Sequence, residues 1–146
     1  MSAPVKPQSF ANHARFVPGY HFFTGTLVLV ILGWSLYRAA TARTADAAFG
    51  VFVGIALIAE FIYIRTFPLN VQDRVIRLEE RLRLARLAPE RQVKWDALTA
   101  SQLVALRFAS DAELPALAAQ IVDEKILDRK TIKSMIKNWR PDYMRV

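Results

Sequence analysis

Two long apolar stretches dominate the first half of the chain. They cover residues 16–37 and 47–64, and His21 and Glu60 are the ionisable side chains inside them. Each stretch is about as long as the roughly 17–25 residues that an α-helix needs to cross a bilayer. Because the segment between them is too short to form a domain, the pattern predicts a membrane hairpin whose two ends lie on the same side.

After Pro68 the pattern changes to that of an amphipathic helix over residues 70–88, and the proline either ends the preceding helix or kinks it. One stripe of this helix carries apolar side chains at heptad-like spacing, on Val71, Val75, Leu78, Leu82 and Ala85. Such a stripe can lie on the membrane surface, pack on the rest of the tail, or pair with another helix as a short coiled coil. The sequence leaves these alternatives open.

The remainder predicts a linker over residues 89–94 and then three short helices. Capping signals begin these helices at Thr99, Ser110 and Asp128, and the helices run to about residues 109, 125 and 139. Their apolar positions supply a small core of Leu103, Leu106, Leu117, Ile121, Ile126, Ile132, Met135, Ile136 and Trp139.

The predicted fold class is therefore all-α. A two-helix transmembrane hairpin over residues 20–66 follows an N-terminal interfacial arm, residues 1–19, in which Ser9 caps a short helix. An amphipathic helix and linker over residues 67–94 lead to a small three-helix cytoplasmic domain, residues 95–146.

Charge supplies the orientation. The chain has a formal net charge of +7, and short loops rich in Lys and Arg stay in the cytoplasm. The arm holds Lys6 and Arg15 and the connecting loop holds Arg38 and Arg43, whereas six arginines lie between residues 65 and 86. Both termini are therefore expected in the cytoplasm.

Small residues in the second stretch predict how the hairpin closes. Gly50 and Gly54 form a GxxxG pattern, which Ala47 extends, and small residues let membrane helices approach closely. A turn centred between residues 41 and 42 places Gly33 opposite Gly50. The alternative is that this face points outward and binds another copy or a partner subunit.

Glu60 and His21 form the candidate intramembrane polar pair. An ionisable group within a span costs about 2.5–3.5 kcal/mol on insertion scales, so it indicates a functional site by default. The same turn places both side chains at similar depth. The alternatives are a structural pair, a Glu60 that snorkels toward the interface, a proton or ion site, and His21 as an axial ligand to haem or a chlorin pigment.

Basic side chains on the tail form a candidate surface for anionic lipid headgroups or a partner. They are Arg74, Arg77 and Arg81 on the amphipathic helix and Lys130, Lys133 and Lys137 on the last helix. A basic second helix after a tight turn is also typical of helix-turn-helix proteins, but a domain beside a membrane already has an anionic partner.

The sequence contains no cysteine, which excludes thiol catalysis, disulfides and cysteine-ligated metal sites. It shows no Gly-rich phosphate loop, no paired nucleophile and base, and no metal-ligand set, since His13 and His21 lack a third clear ligand. We therefore predict no catalytic residue, no metal and no cofactor.

Several segments of the chain are distinctive when taken together. They are Gln8-Ser9-Phe10 with Asn12-His13, Pro18 with Tyr20-His21, Gln72-Asp73-Arg74 with Ile76-Arg77 and Glu79-Glu80, residues 105–111, and residues 136–143. They resemble a family of small bacterial membrane proteins known only as a domain of unknown function. The resemblance covers nearly the whole chain. It implies a bacterial two-span membrane protein and brings no activity, cofactor or catalytic residue.

The expected function is that of a non-enzymatic protein of the bacterial inner membrane. It would serve as an accessory subunit of a larger membrane complex or as a homo-oligomeric scaffold. One alternative is a membrane-tethered regulator whose basic tail binds a soluble protein or, less favoured, nucleic acid. A second alternative is a proton- or ion-handling protein that uses Glu60.

Overall fold

A computed structural model describes residues 8–13 and 16–142 of the chain. It is all-α, as predicted: two long apolar helices pack as a hairpin and shorter helices follow. The elements are a π-helical turn (Gly19–Thr24), α1 (Gly25–Ala42), α2 (Ala45–Leu87), a 3₁₀ turn (Pro89–Arg91), α3 (Gln92–Asp96), α4 (Ala100–Leu106), α5 (Leu114–Asp123) and α6 (Arg129–Met135). The chain divides into a hairpin unit, Phe16–Leu69, and a tail unit that joins the described arm to the residues from Asn70 onward.

The hairpin turns two residues later than the sequence predicted. α1 ends at Ala42, Arg43 adopts a left-handed conformation with φ 49°, and the Thr44 hydroxyl accepts a hydrogen bond from the amide of Ala47 at 3.3 Å. A left-handed residue after the last helical turn is a common way to end a helix. Because the turn centres on residues 43 and 44, the pairings nearest to it shift accordingly, so Gly50 lies beside Ser35 and Gly54 beside Leu32.

Both helices of the hairpin are long and apolar enough to cross a membrane. Most of their large apolar side chains point away from the opposing helix. Phe23 and Phe52, for example, are 73% and 70% exposed. Val28 and Ala47 are buried where the helices meet.

One continuous helix, α2, covers both the second apolar stretch and the amphipathic region. The sequence had divided these into two elements, with the kink at Pro68 as the alternative to a break. A proline inside a helix removes one hydrogen bond and clashes with the preceding turn, yet helix continues on both sides of Pro68.

The tail unit is built around side chains that are almost completely buried: Leu84, Trp95, Leu103, Leu106, Phe108, Leu114, Ile121 and Ile132. The core positions predicted within the three short helices are confirmed as buried or as packed against this cluster. Leu84, Trp95, Phe108 and Leu114 were not predicted.

The predicted linker over residues 89–94 is wrong. Pro89 begins the 3₁₀ turn, α3 follows at once, and Trp95 is 1% exposed. Its indole N–H donates to the carbonyl of Ala88 at 2.9 Å. A proline suits the first position of a helical turn because that position needs no amide donor, so this polar segment is part of the fold.

Two of the three predicted helix caps are confirmed. Thr99 and Gln102 form a reciprocal capping box at the start of α4, and the Asp128 carboxylate accepts from the amide of Thr131 at 2.7 Å. The cap at Ser110 is wrong, since α5 begins four residues later with Pro115 in its first turn. There the proline is compatible with the helix.

The three helices also end earlier than predicted. α4 stops at Leu106 because the segment after it pairs with the segment after α6, where Ala109 and Trp139 form an antiparallel bridge. The amide of Arg140 donates to the carbonyl of Phe108 at 2.7 Å. Lys125, which was predicted to be helical, adopts a left-handed conformation just after α5.

Candidate functional site

The polar centre of the tail unit is Arg83, which lies on α2 and is 5% exposed. Its guanidinium donates to Glu80 at 3.0 Å, to Asp111 at 2.6 Å and to the carbonyl of Ala109 at 2.7 Å. Because a buried guanidinium is stable only when its donors are satisfied, this network fixes α2 against the segment after α4.

The two carboxyls of this network respond in opposite directions. Burial raises the pKa of Glu80 above its ordinary value, although Arg83 acts against the change. The hydrogen bond from Arg83 lowers the pKa of Asp111, whose side chain is largely exposed. Arg83 therefore holds a buried carboxyl and a surface carboxyl together.

A second buried arginine, Arg107, ties the end of the described chain to the same region. Its Nε atom lies 3.0 Å from the Asp142 carboxylate, and its guanidinium carbon stands 4.3 Å from the centroid of the Phe108 ring. The Gln8 side-chain amide donates to the backbone carbonyl of Asp142 at 3.0 Å, and the backbone amide of Asp142 donates to the Gln8 side-chain oxygen at 2.8 Å.

Residues 8–13 of the arm form a docked turn and not the interfacial helix that the sequence predicted. Ser9 and Asn12 close the turn through hydrogen bonds to each other. The His13 ring packs on Phe108 and Trp139, with centroids 5.6 and 5.8 Å apart, and its Nε2 atom lies 3.1 Å from the Lys133 amine. The local pattern of polar residues suggested an interfacial helix. The prediction failed because the aromatic residues that hold the arm, Phe108 and Trp139, lie far from it in the sequence.

Segments that carry the family resemblance thus meet in the tail unit. The arm residues, the Glu80 turn of α2, residues 105–111 and residues 136–142 all contribute to one cluster. A groove of about 990 Å³ lies beside it, lined by Gln72, Val75, Ile76, Glu79, Glu80, Leu82, Arg83, Arg86, Arg107, Arg140, Pro141 and Asp142. Within this lining Glu80 pairs with Arg83 and Asp142 pairs with Arg107, which favours a structural role for these four side chains.

The small-residue face of α2 does meet α1, as the intramolecular alternative predicted, but with other partners. Gly54 packs on Leu32 and Gly50 lies beside Ser35, while Ala47 is buried. The predicted Gly33–Gly50 contact is wrong, because the later turn shifts the pairing. Gly33 is exposed, with open space around it.

We expect Gly54→Leu to destabilise the hairpin unit. A Cβ atom at this position would lie 2.8 Å from Cδ1 and 3.1 Å from Cα of Leu32, so backbone as well as side chain must move. Overpacking of this kind costs about 1–3 kcal/mol, and occasionally more. The measurement is thermal stability of the detergent-purified chain, with Gly33→Leu as the matched control.

Gly33→Leu adds the same side chain to an open position and should leave the melting temperature unchanged. Gly50→Leu should fall between the two, because its Cβ would lie 3.4 Å from the Ser35 hydroxyl. Equal melting temperatures for the Gly33 and Gly54 variants would contradict the observed packing.

The predicted pair of His21 and Glu60 does not form. The His21 Nδ1 atom lies 3.1 Å from the amide nitrogen and 3.0 Å from the carbonyl oxygen of Val17, and Glu60 is exposed. Among the described residues, no hydrogen bond or salt bridge involves the Glu60 side chain. The pair fails because the His21 ring contacts the backbone of Val17 and the Glu60 side chain is exposed.

A different polar contact joins the two helices at that end of the hairpin. The Tyr20 hydroxyl donates to the carbonyl of Phe61, and the two rings stack with centroids 4.5 Å apart. Gly25, at the end of the π-helical turn, also faces the Phe61 ring. The sequence did not predict this contact.

The predicted basic surface is only partly accessible. Arg74, Arg77, Lys130 and Lys137 are exposed, and Arg81 is half-buried. Lys133 lies against the arm through His13 and stands 5.5 Å from the centroid of the Phe108 ring. It is therefore part of the docked cluster. Lys6, Arg15 and Tyr143, which also entered the sequence analysis, lie outside the described residues.

Across the described ranges 8–13 and 16–142, no group of three or more His, Cys, Asp or Glu side chains could hold a metal ion. Residues 5–146 match a family of unknown function, DUF6526, and the chain belongs to this family. No curated protein and no solved structure is detectably similar to it.

Proposed function

We propose that this member of the family is a non-enzymatic scaffold of the bacterial inner membrane, anchored by the hairpin unit and presenting the tail unit in the cytoplasm. The observation that carries the proposal is the apolar outer surface of the hairpin unit. Its side chains there are mostly more than half exposed, as with Phe23 and Phe52. Apolar surfaces of this extent require a covering partner, and hydrocarbon chains provide one along the full length of a helix pair.

The assigned orientation rests on flanking charge. Arg38 and Arg43 lie near the connecting turn, whereas Arg65 and the arginines after it follow the second apolar stretch. The excess of positive charge after the hairpin favours a cytoplasmic tail. Exposed basic residues such as Arg77 and Lys130 can then contact anionic headgroups, each contributing about 1 kcal/mol near the surface.

A scaffolding role is supported by how the polar residues are used. Arg83 and Arg107 pair with groups of their own chain, and these contacts hold α2, the segment after α4 and the last described segment in one unit. A buried polar network of this kind fixes one arrangement of the surface around it. An accessory subunit of a larger complex or a homo-oligomer would both use such a unit.

The absence of cysteine from the sequence makes the test direct. Single cysteines are placed in the connecting turn at Thr44 and on the tail at Val93, which is 89% exposed. We expect a membrane-impermeant maleimide to label Thr44→Cys but not Val93→Cys in intact spheroplasts, and both after lysis. We also expect the chain to remain in the membrane after alkaline carbonate washing.

Release by carbonate would refute the membrane anchor, and the reverse labelling pattern would refute the orientation. The scaffolding role is tested by purifying the protein in mild detergent from its source membrane. Stoichiometric co-purification of membrane subunits, or a homo-oligomer, is the expected result. A monomer without partners would contradict the role, and visible absorption by the preparation would contradict the proposed absence of a haem or pigment.

A further inference from the structure

The apolar stripe on α2 remains uncovered in the tail unit. Its members, which we call the seam, are Val71, Val75, Leu78, Leu82 and Ala85. The first four are at least half exposed, with Leu78 at 60%. Four large apolar side chains in a row at spacings of four, three and four residues follow the 3.5-residue repeat of a coiled coil.

The tail unit packs on a different face of α2. Ile76, Glu80, Arg83 and Leu84 are buried against it, and Asp73 binds Arg129 at 3.2 Å. With Val75 as heptad position a and Leu78 as d, these residues occupy b, c and f. The chain's own tail therefore covers the back of the helix and leaves the a and d positions open, which removes one of the three alternatives for the stripe.

Charged residues flank the seam asymmetrically. Arg74 and Arg81 occupy the g positions, and Gln72, Glu79 and Arg86 occupy the e positions. Within the described part of the chain, Arg74 and Glu79 make no salt bridge, and the Nε atom of Arg81 is buried without a hydrogen-bond partner. Glu79 shares the e edge with Arg86, so bases flank both sides of the seam. A paired helix offers Glu79 a basic g residue, whereas an anionic lipid surface repels its carboxylate.

We propose that the seam binds the seam of a second copy of this chain, as a parallel two-stranded coiled coil over residues 71–85. The proposal rests on the proposed function, because copies inserted in one membrane with the same orientation have parallel helices. In this arrangement each g residue faces the e residue five positions later in its partner. Arg74 of each chain then meets Glu79 of the other.

The core positions follow the two-stranded preference in the first heptad. A β-branched residue at a with leucine at d favours dimers, and Val75 and Leu78 have this order, whereas Leu82 and Ala85 occupy the next a and d positions. The second g–e pair brings Arg81 toward Arg86, a like-charge contact. The Asp111 carboxylate lies 4.0 Å from Arg86 and reduces that repulsion.

A seam of about two heptads is short for a dimer formed from free solution. Confinement of both copies to one membrane raises their effective concentration, in the way that a linker does for two tethered sites. We therefore expect the dimer in membranes and its dissociation when the detergent-solubilised protein is diluted.

The test uses single-cysteine variants of the full chain in native membranes, oxidised with copper phenanthroline. Val71→Cys, Leu78→Cys and Leu82→Cys should form disulfide-linked dimers at least five-fold more than Arg77→Cys. Arg77 is the matched control, since it is exposed on the same helix but lies at a c position. Adding Leu78→Glu to the Val71→Cys variant should abolish the cross-link; Leu78 is exposed, so this change leaves the core intact.

Cross-linking at Leu78 that is no greater than at Arg77 would overturn the proposal, as would cross-linking at only one seam position, which indicates an antiparallel or incidental encounter. Seam cysteines that are shielded from maleimide without forming dimers would also overturn it, in favour of lipid contact. Carbonate washing of the same membranes distinguishes failure of the dimer proposal from failure of the proposed membrane anchor. A chain that resists extraction but does not cross-link refutes the dimer alone, whereas a chain that is released refutes the membrane anchor.

Discussion

Replacing Arg83 with methionine will destabilise the tail unit by about 3–5 kcal/mol, the usual cost of removing one partner from a buried ion pair. The variant leaves the Glu80 carboxyl and the Ala109 carbonyl buried without the donors that they have in the native chain. A small domain has a free energy of unfolding of about 5–15 kcal/mol, so the variant loses a large part of its stability.

The measurement is urea unfolding of the full chain in mild detergent, followed by far-UV circular dichroism. Arg86→Met is the matched control, because Arg86 lies one turn further along α2 with its side chain 73% exposed. We expect its midpoint to stay within experimental error of the native value. A loss at Arg83 no larger than at Arg86 would show that the buried network contributes nothing to the stability of the tail unit.

The double variant Glu80→Leu/Arg83→Met distinguishes an unpaired charge from lost packing. Apolar replacement of a whole buried ion pair is often neutral or stabilising, so we expect the second substitution to restore part of the lost stability. The Asp111 and Ala109 contacts remain broken, which keeps the recovery incomplete. A double variant that is less stable than Arg83→Met would contradict the account.

The loss of unfolding free energy in Arg83→Met should also become smaller at acid pH. In the native chain Arg83 opposes the rise of the Glu80 pKa that burial causes, so its removal lets that pKa rise further. A carboxyl whose pKa is higher in the folded than in the unfolded state destabilises the fold least below its unfolded pKa. The deficit is therefore largest at neutral pH and falls toward pH 4.5, the ordinary value for Glu.

Asp111 also makes the loss of stability in Arg83→Met smaller at acid pH. The native chain gains stability from this group above its unfolded pKa, because Arg83 holds the folded pKa lower. That contribution begins to be lost as the pH falls below 3.8, the ordinary pKa of Asp. It is lost further as the pH falls through the lowered pKa of Asp111 in the folded state. A deficit that is constant from pH 7 to pH 4 would indicate that Glu80 keeps its charge in the variant.

The apolar pattern was sufficient to predict the hairpin, because a helix of this length and hydropathy has few alternatives. Its register was not predictable, because register depends on where one residue turns. Arg43 adopts the left-handed conformation with no glycine or asparagine to mark it. The two-residue shift at this turn separated Gly33 from Gly50. His21 and Glu60 failed to pair for another reason, since the His21 ring contacts Val17 and the Glu60 side chain is exposed.

The polar core of the tail unit was hidden for a different reason. Residues 76, 80, 83, 84 and 87 form a second face on α2, but Glu80 and Arg83 interrupt its apolar pattern. Sequence reasoning followed the uninterrupted stripe at Val71 through Ala85, which is the exposed one. Whether a charged residue is buried depends on partners such as Asp111, 28 positions away, and no local pattern supplies them.

The second large effect is expected at Trp95, whose burial makes the segment predicted as a linker, residues 89–94, part of the fold. Truncating a buried tryptophan to alanine costs about 3–5 kcal/mol through lost contacts and the cavity that remains. Trp95→Ala also removes the indole donor from the carbonyl of Ala88. We therefore expect the urea midpoint of the tail unit to fall as far as it does in Arg83→Met.

Two control variants separate burial from sequence position. Val93→Ala changes a residue in the same short helix that is almost fully exposed, and its midpoint should match that of the native chain. Trp95→Phe keeps most of the apolar volume but loses the hydrogen bond to Ala88, so we expect an intermediate loss. If Trp95→Ala unfolds at the same urea concentration as Val93→Ala, this segment behaves as a linker. The tail unit would then be held together by α2, α4, α5 and α6 without it.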